Sequence, residues 1–431
     1  MAEILPLKAW LYNDELKKNI ESLTSPLFDV VSEKQRKKLY KNDLNSIHLS
    51  VPVGNNPSEK ALKTLTQWKN NNTIVQDTAP GIYVYYQYFT LHGNNTEICR
   101  KGFICNIKAY DWSEKVILRH ENTMPKSVND RIDLLNKTQL NVSPTHGLYT
   151  DPNYILESYM DEAIKTPIFE TEDYQGVRDV MAVINDPSVV QKFIQLIEDK
   201  KIILADGHHR YEGSLEYRKS QKAKNPNHTG NEGYNYHMMY LTNTETDNLR
   251  VLPTHRMING LSNFNEDQII KSLSKYFIIR EIEDAFLINE IILGKKWAFG
   301  LLFKNSSYKL RLKPEVHSQL SWPFSDEIKQ LDLTVMHYFI IEKVLNILGK
   351  EQRYSENILF DRSFADCLTK VIQNDVQLAI ITNGISMEDI KKVCHSGYTM
   401  PQKSTYFYPK VICGFLFSSI KKGEFYPSLN S

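Results

Sequence analysis

Five consecutive residues with phosphate-binding chemistry, Asp-Gly-His-His-Arg, occupy positions 206–210. They follow a short apolar segment and precede a segment rich in helix-forming residues, so we expect the loop to lead from a strand into a helix. The backbone N–H groups of a first helical turn have no partner within the helix, and the helix dipole adds partial positive charge there. Gly207 would let the main chain approach an anion closely, while His208, His209 and Arg210 would add cationic or hydrogen-bonding donors. The sequence therefore predicts a phosphate-binding loop at 206–210.

Asp206, at the end of the predicted strand, has three alternative roles. Its carboxylate could hold Mg²⁺, take a proton or only cap the following helix. The plainest alternative for the whole loop is a capped turn followed by two surface histidines. Zinc is a further alternative, but adjacent histidines do not easily share one ion, and the five scattered cysteines form no close Cys-x-x-Cys pair.

A second group of polar residues, His120, Glu121 and Thr123, precedes a predicted helix that contains Arg131. A carboxylate beside a histidine in a polar loop is a candidate general base, because it can accept the proton of an alcohol that attacks phosphorus. Arg131 could pair with Glu121 or with a substrate carboxylate. The alternative is a solvated surface pair without a catalytic role.

Two further groups carry basic or hydroxyl side chains. His255 and Arg256 follow a predicted strand and could bind an anionic group or form a structural ion pair. Lys403 and Ser404 lie near the C-terminus, where Lys403 could contact a phosphate or a carboxylate and the alternative is a strand with ordinary polar ends. His337 lies within an apolar helical pattern, so we interpret it as a core histidine.

Strand and helix patterns are intermixed along the chain, which predicts a mixed α/β fold of the α+β class. A β-branched and aromatic run, a hairpin-like turn at 93–95 and a second strand indicate antiparallel pairing near the N-terminus. We divide the chain into segments 1–110, 111–260 and 261–431. The patterns predict strands over 81–89, 99–108, 201–205 and 237–242, and helices over 32–40, 130–137, 187–200, 211–222, 265–275 and 326–348.

The composition is that of an ordinary globular protein, with 41% hydrophobic and 24% charged residues among 431. Lys and Arg number 52 against 51 for Asp and Glu, a net charge of +1 that argues against a general nucleic-acid or membrane-surface protein. The N-terminal segment lacks a leader pattern, and no apolar run approaches the ~20 residues that span a bilayer. We therefore expect a cytoplasmic protein with no nucleic-acid or membrane partner.

Taken together, these motifs resemble the family known as domain of unknown function 1015, and the resemblance extends over nearly the whole chain. One departure lies near the N-terminus, where Ser25-Pro26-Leu27-Phe28-Asp29-Val30 stands in place of the usual Pro-Pro-Tyr-Asp-Val. The motifs that carry the resemblance are RHENT at 119–123, DRIDLL at 130–135, ADGHHR at 205–210, LPTHR at 252–256 and MPQKSTYFYPK at 400–410.

The order of a His-Glu pair, an Arg-containing helix and a strand ending in Asp-Gly-His-His-Arg also resembles the free-serine kinases of the ParB/sulfiredoxin superfamily. The resemblance implies a ParB/sulfiredoxin-like nucleotide-binding core over 111–260, with additional α/β segments at both ends. It implies Mg²⁺-dependent phosphoryl transfer from ATP or ADP to free L-serine, giving O-phospho-L-serine. The stretch between Arg131 and Asp206 is much longer than in the compact kinases, so an insertion must be accommodated.

The resemblance also implies roles for individual residues. Glu121 would activate the serine hydroxyl, with Asp206 and His209 as further catalytic residues, and the 206–210 loop would hold the nucleotide phosphates and, through Asp206, Mg²⁺. Candidates for substrate contacts are His120, Thr123, Arg131, His255, Arg256, Lys403 and Ser404.

Three alternatives to a free-serine kinase remain. One is a nucleotide-binding or nucleotide-hydrolysing regulatory module like the ParB clamps, which the charge balance disfavours. Another is a kinase for a different small hydroxylated metabolite, because the loop recognises phosphate and not the acceptor. Sulfiredoxin-like repair would need a reactive cysteine near the loop, whereas Cys105, the nearest in sequence, lies in a predicted strand. The oligomeric state is open, with a homodimer as one arrangement.

Overall fold

The computed structural model describes residues 2–91, 94–401 and 403–427. The chain divides into two units. The first comprises Met1–Arg119, Thr123–Leu249 and Pro409–Ser431, and the second comprises His120–Asn122 and Arg250–Tyr408. The segment boundary predicted at 110 falls inside the first unit, because the strand before it pairs with the strand at 236–243 in one sheet.

The strands are β1 (Ile4–Leu5), β2 (Trp10–Tyr12), β3 (Ile74–Gln76), β4 (Ile82–Leu91), β5 (Asn94–Lys108), β6 (Ile117–Leu118), β7 (Leu140–Asn141), β8 (Thr145–Tyr149), β9 (Phe169–Glu172), β10 (Arg178–Ile184), β11 (Ile202–Asp206), β12 (Tyr236–Asn243), β13 (Arg250–Leu252), β14 (His255–Ile258), β15 (Phe277–Glu281), β16 (Ala298–Leu302), β17 (Ser307–Leu312), β18 (Ile358–Asp361), β19 (Leu378–Ile381), β20 (Tyr406–Tyr408) and β21 (Ser418–Ser419).

The α-helices are α1 (Asp14–Lys17), α2 (Ile20–Leu23), α3 (Glu33–Leu39), α4 (Ile47–Ser50), α5 (Pro57–Asn70), α6 (Pro125–Thr138), α7 (Glu157–Ala163), α8 (Pro187–Glu198), α9 (His208–Lys224), α10 (Glu266–Leu273), α11 (Ile288–Ile292), α12 (Asp326–Lys329), α13 (Asp332–Val335), α14 (Gly349–Gln352), α15 (Phe364–Ile372) and α16 (Met387–Ser396). A π-helix spans Met336–Glu342, and short 3₁₀ helices span Trp112–Glu114, Gly233–Asn235, Ala285–Leu287 and Pro314–Gln319.

The first unit is built on a mixed sheet in the order β6-β11-β8-β12-β5-β4-β10-β9, with β1 added beside β5. The pairs β6–β11 and β8–β12 are parallel, and the other pairs are antiparallel. Smaller two-stranded pairs join β2 to β3 and β7 to β21. This arrangement confirms the predicted mixture of strands and helices.

Both faces of the large sheet are buried, which explains why β4 has a continuous apolar and aromatic sequence instead of alternating polar residues. Tyr83 and Tyr85 belong to one core, together with Phe415 and Phe417 of the C-terminal segment. The alternate residues of β4 belong to a second core with Phe193 of α8 and with Tyr211 and Leu215 of α9. α9 is therefore fixed to the sheet by apolar residues that lie beyond its first turn.

The second unit contains an antiparallel sheet in the order β15-β17-β16-β19-β14-β18 and a separate pair, β13–β20. Two apolar cores accompany this sheet, and Ile258, Phe299 and Phe339 belong to the larger one. No helix in the described part of the chain combines the length and apolar composition that crossing a membrane requires.

The region 326–348, predicted to be helical, is helical over Asp326–Lys329, Asp332–Val335 and Met336–Glu342, with a break after Lys329. α12 ends at Lys329, and Leu331 has an extended backbone before α13 begins at Asp332. The Asp332 carboxylate accepts the backbone N–H of Trp297 at 2.8 Å, a tertiary contact that periodicity cannot reveal. The predicted turn at 93–95 includes Gly93, which lies outside the described residues.

Candidate functional site

The 206–210 loop occupies the junction between β11 and α9. β11 ends at Asp206, and Gly207 lies just before the first residue of α9 with φ of +90°. A Cβ atom at Gly207 would lie 2.6 Å from Cγ2 of Thr145, at the start of the neighbouring strand β8. Glycine is therefore required both by its backbone conformation and by the close packing of the loop against β8.

The carboxylate of Asp206 is buried and paired with two cations. The ammonium of Lys410 contacts Oδ1, and Nη2 of Arg210 donates to Oδ2 at 2.8 Å. Arg210 also donates to Ser143 Oγ at 3.1 Å and to the carbonyl of Pro144. Burial alone would raise the pKa of Asp206, but Lys410 and Arg210 hold that pKa well below its usual range. Asp206 is therefore ionised at neutral pH.

A third cation, Arg100 of β5, is buried in the same unit with 1% of its surface exposed. Its Nη2 donates to Oε1 of Gln87 and to the carbonyl of Pro409. Among the described residues, Nε and Nη1 of Arg100 and Nε of Arg210 have no hydrogen-bond partner. A guanidinium buried in this way is costly unless an acceptor is supplied.

Asp179, a carboxyl group whose charge interacts with that of Arg100, gives little compensating charge. It accepts hydrogen bonds from Tyr85 at 2.5 Å and from Gln87 at 2.8 Å. Burial raises the pKa of Asp179 to about 7, against the opposing effect of these hydrogen bonds. It is therefore only partly ionised at neutral pH.

The charges of Arg100, Asp206, Lys410 and Arg210 all act on His146 of β8. Burial, followed by Arg100, lowers the pKa of His146 well below its usual range, so the ring is neutral. Lys410, Arg210 and Asp206 act on the same ring. We call Arg100, Arg210 and Lys410 the cationic cluster: three cations in one buried neighbourhood with one fully ionised carboxylate.

The two histidines of the loop differ in their surroundings. Nε2 of His209 accepts the backbone N–H of Met124 at 2.9 Å. A backbone N–H can only donate, so this nitrogen carries a lone pair and His209 is not doubly protonated. The expected cationic donor at His209 is therefore replaced by a neutral ring, whereas His208 is buried in the first turn of α9.

Glu121 lies in the second unit, where it holds the segment after Lys403. Its Oε1 accepts the N–H groups of Ser404 at 2.9 Å and Thr405 at 3.1 Å, and the Thr405 hydroxyl at 3.2 Å. Lys403 has φ of +53°, and two successive N–H groups beyond it converge on the carboxylate. His120 Nε2 lies 2.7 Å from the Thr405 hydroxyl. Glu121 thus has a structural role in this unit.

Arg256 and His255 are also buried in the second unit. Arg256 donates to the carbonyl of Thr254, and its guanidinium lies 5.2 Å from the ring centroid of Phe360. Burial lowers the pKa of Arg256 to about 10, with Glu121 opposing the shift. His255 Nδ1 accepts the N–H of Thr382 at 3.3 Å, and burial lowers the pKa of His255 to about 4, so this histidine is neutral.

The predicted site residues therefore fall in both units. The 206–210 loop, Thr123 and Arg131 belong to the first, and His120, Glu121, His255, Arg256, Lys403 and Ser404 belong to the second. Arg131 donates to the carbonyl of Ser50 at 3.0 Å, pairs with Asp130 and lies 4.4 Å from the ring centroid of Phe28. These contacts hold the Arg131 guanidinium within its own unit.

Sequence reasoning missed Arg100, Gln87, Asp179 and Lys410. The strands β5 and β10 that contain Arg100 and Asp179 also carry other charged residues, Glu97, Lys101 and Lys108 in β5 and Arg178 in β10. Nothing in the sequence therefore marks Arg100 and Asp179 as the buried ones. Lys410 was only the last residue of the motif at 400–410. Its contact with Asp206 joins positions 204 residues apart, which no local pattern predicts.

The described residues do not build a magnesium site around Asp206. Both of its carboxylate oxygens already face a cation, and no group of three or more His, Cys, Asp or Glu side chains in the described part of the chain could hold a metal. Lys410 and Arg210 supply positive charge where a metal ligated by Asp206 would supply it. The role of Asp206 as a Mg²⁺ ligand stays a prediction from resemblance.

The family model described as "Protein of unknown function (DUF1015)" matches residues 4–334 of the chain. No curated protein matches the chain. Three solved structures show a distant likeness. A free serine kinase in complex with AMP is 12% identical, with 70% of this chain and 86% of that chain covered and a TM-score of 0.35.

The second is a conserved hypothetical protein from Pyrococcus furiosus, 12% identical, with 72% of this chain and 92% of that chain covered and a TM-score of 0.36. The third is SbnI with a C-terminal truncation from Staphylococcus aureus, 11% identical, with 74% and 90% covered and a TM-score of 0.35. The activities in these names are properties of the neighbouring proteins.

Proposed function

This chain belongs to the DUF1015 family, and we propose that it binds the phosphates of ATP or ADP at the start of α9 and phosphorylates free L-serine. In this reaction the serine hydroxyl oxygen forms a bond to the terminal phosphorus of the nucleotide, and the bond from that phosphorus to the bridging oxygen breaks. The hydroxyl proton passes to a general base. The products are O-phospho-L-serine and the nucleotide shortened by one phosphate.

The buried guanidinium of Arg100 is the observation that carries the phosphate-binding part of the proposal. Its Nε and Nη1 have no acceptor among the described residues. A phosphate offers several acceptor oxygens and up to two negative charges, which suit a cationic cluster with one ionised carboxylate. Lys410 and Arg210 would then divide their charge between Asp206 and the ligand.

The first turn of α9 supplies the second part of the phosphate site. Gly207 brings the main chain against β8 and leaves the N–H groups of His208, His209 and Arg210 at the helix start. These groups add partial positive charge without any titration. Phosphoryl transfer needs charge stabilisation and positioning more than covalent chemistry, so a loop of this kind supplies the larger part of what the reaction requires.

The base, the acceptor and the ParB/sulfiredoxin-like character of the core are proposed from the sequence resemblance. The resemblance assigns the base to Glu121 and further catalytic roles to Asp206 and His209, and it implies that Mg²⁺ accompanies the nucleotide. Candidates for contacts with the serine carboxylate or with further phosphate oxygens are Arg131, His255, Arg256 and Lys403, and His120, Thr123 and Ser404 are further candidates for substrate contacts.

The test is an assay of purified protein with L-serine and ATP or ADP, with and without Mg²⁺, in which phosphoserine is measured by mass spectrometry. We expect phosphoserine with the wild type and a loss of at least 100-fold in Glu121→Gln, because a carboxamide cannot accept the proton. The Gln side chain keeps an oxygen for the N–H groups of Ser404 and Thr405, so folding is preserved.

Glu315→Gln, the same chemical change at an exposed position of the second unit, is the matched control and should keep the wild-type rate. Absence of phosphoserine with both nucleotides would refute serine as the acceptor. Wild-type turnover in Glu121→Gln would refute Glu121 as the base.

A further inference from the structure

The second unit contains a partly open cavity of about 600 Å³ that the proposed phosphate site does not use. We call it the aromatic pocket, because Trp322, Phe324 and Phe360 line it together with Met400 and His337. Its volume lies within the roughly 300–1,000 Å³ of typical small-molecule sites. The residues that line it all belong to the second unit.

The rings of the pocket hold one another in place. Trp322 packs edge-on against Phe324 with centroids 5.6 Å apart and against Tyr338 with centroids 5.4 Å apart. The indole N–H of Trp322 donates to Glu342 at 3.1 Å. A planar aromatic ligand fits such a wall, because ring edges and faces pack favourably at these distances.

His337 lines the aromatic pocket and has one buried ring nitrogen without a hydrogen-bond partner among the described residues. It lies on the π-helix Met336–Glu342, is 2% exposed, and its Nδ1 lies 2.7 Å from Oε1 of Gln352. The Gln352 amide is fixed because Nε2 donates to the carbonyls of His337 and Ile347. Nδ1 of His337 is therefore the donor to Oε1, and the other ring nitrogen, Nε2, has no partner among the described residues.

The His337 ring is neutral in this environment. Burial, followed by Arg256, lowers the pKa of His337 to about 3. With Nδ1 protonated, Nε2 of the neutral ring carries a lone pair. A ligand N–H or O–H group could satisfy this buried lone pair by donating a hydrogen bond to it. A ligand group that has no hydrogen to donate could not.

The charged residues that line the pocket favour an acidic ligand. Glu342 is already satisfied, since Oε2 accepts the N–H of Gly349 at 2.8 Å and Oε1 lies 3.1 Å from the Lys343 ammonium. Lys350 and Arg353 line the same cavity and are exposed to solvent. An anionic substituent at the edge of an aromatic ring would therefore meet positive charge.

We propose that the aromatic pocket is a binding site for a planar aromatic acid whose ring carries an N–H group, with that N–H donating to Nε2 of His337. The proposal is independent of the phosphate site in the first unit. It predicts discrimination by a single hydrogen, because a ring nitrogen that bears a methyl group can neither donate nor approach His337 at hydrogen-bonding distance.

The probes are indole-3-carboxylate and 1-methylindole-3-carboxylate, titrated into the full chain by isothermal calorimetry, with purine and benzimidazole carboxylates as further N–H acids. We expect at least one N–H acid to bind and its N-methyl counterpart to bind at least tenfold more weakly. If none of these acids binds, or if each N-methyl analogue binds as well as its parent, the proposal is overturned.

Two variants distinguish a role of Nε2 in ligand binding from an effect of His337 on folding. His337→Gln places an amide oxygen near the position of Nε2 and should keep the preference for N–H acids over their N-methyl counterparts. His337→Asn keeps a polar group near Nδ1 only and should abolish that preference. A preference that persists in His337→Asn would overturn the assignment. The wild-type comparison of the paired probes decides the proposal even where a variant does not fold.

Discussion

Lys410 and Arg210 keep the Asp206 carboxylate ionised, and the carboxylate in turn stabilises the two buried cations. Each oxygen of the carboxylate faces one cation, in a setting where the Asp206 side chain is 11% exposed. Buried charges are tolerated when paired and become costly when one partner is removed. The strength of the group is therefore measured best by removing its members singly and together.

Asp206→Asn should lower the free energy of unfolding by about 3–5 kcal/mol, because it leaves two buried cations without their counter-ion. Lys410→Met should also destabilise, and the double variant should lose less than the sum of the two single variants. Urea unfolding monitored by circular dichroism measures all three. Strict additivity would contradict the pairing.

The raised pKa of Asp179 should make the protein less stable as the pH rises. A paired carboxylate with a lowered pKa would have the opposite effect. Its pKa in the folded protein is raised to about 7 from an ordinary 3.8. Between these two values the unfolded chain loses the proton and the folded chain keeps it, so stability falls as pH rises and is fully retained below about pH 4. The loss from this group by pH 8 is on the order of 4 kcal/mol.

The matching experiment compares wild type with Asp179→Asn, which imitates the protonated carboxyl and keeps an oxygen for Tyr85 and Gln87. We expect equal effects of pH on the two proteins below pH 4, and a growing advantage for Asp179→Asn from pH 5 to 8 in urea unfolding. Parallel stability curves across that range would show that Asp179 titrates normally.

At the residue scale, the sequence was informative where chemistry is local. The 206–210 loop could be recognised because a strand pattern, a glycine and basic residues are contiguous, and the structure places Gly207 at the helix start. The partners of the loop could not be recognised. Lys410 contacts Asp206 only because the C-terminal segment returns to the first unit, and Arg100 acts on His146 only because their strands lie in one sheet.

At the element scale, the junction of β11 and α9 depends on Gly207 for both its conformation and its packing. Gly230, in the loop after α9, has a similar φ of +94°, but a methyl group added there would meet no atom within 4 Å, whereas a Cβ at Gly207 would meet Thr145 at 2.6 Å. Alanine at Gly230 would therefore introduce backbone strain alone, whereas alanine at Gly207 would introduce backbone strain and a steric overlap with Thr145.

Gly230→Ala should lower the free energy of unfolding by about 1–3 kcal/mol, the cost of a positive φ alone. Gly207→Ala should exceed that loss by a further ~1–3 kcal/mol from overpacking against Thr145, and should also weaken nucleotide binding. Urea unfolding and calorimetry measure the two effects. Equal losses in both variants would contradict the tight packing of the loop.

Elements with strong local patterns were predicted well. The helix predicted at 187–200 is α8, with Asp186 capping its first turn, and the strand predicted at 201–205 is β11. The helix predicted at 211–222 begins earlier, at His208, because Gly207 ends the strand and starts the helix at once. The helical region 326–348 was predicted without its break after Lys329, because a tertiary contact such as that of Asp332 with Trp297 has no signature in the local sequence.

At the scale of the whole molecule, balanced charge coexists with a local excess of cations. The chain carries 52 basic and 51 acidic residues, so a long-range field that would attract DNA is absent from its composition. The cationic cluster is buried within the first unit and suits a small anion better than a polymer backbone. This contrast favours a phosphate-bearing metabolite over a ParB-like clamp on DNA.

The central claim is that nucleotide phosphates bind the cationic cluster, and calorimetric titration of ADP against adenosine tests it most directly. The wild type should bind ADP at least tenfold more tightly than adenosine, and Lys410→Met should lose at least tenfold in ADP affinity while circular dichroism reports an unchanged fold. Lys222→Met, the same change at the exposed end of α9, should bind ADP like the wild type. Equal affinities for ADP and adenosine, or full ADP affinity in Lys410→Met, would contradict the account.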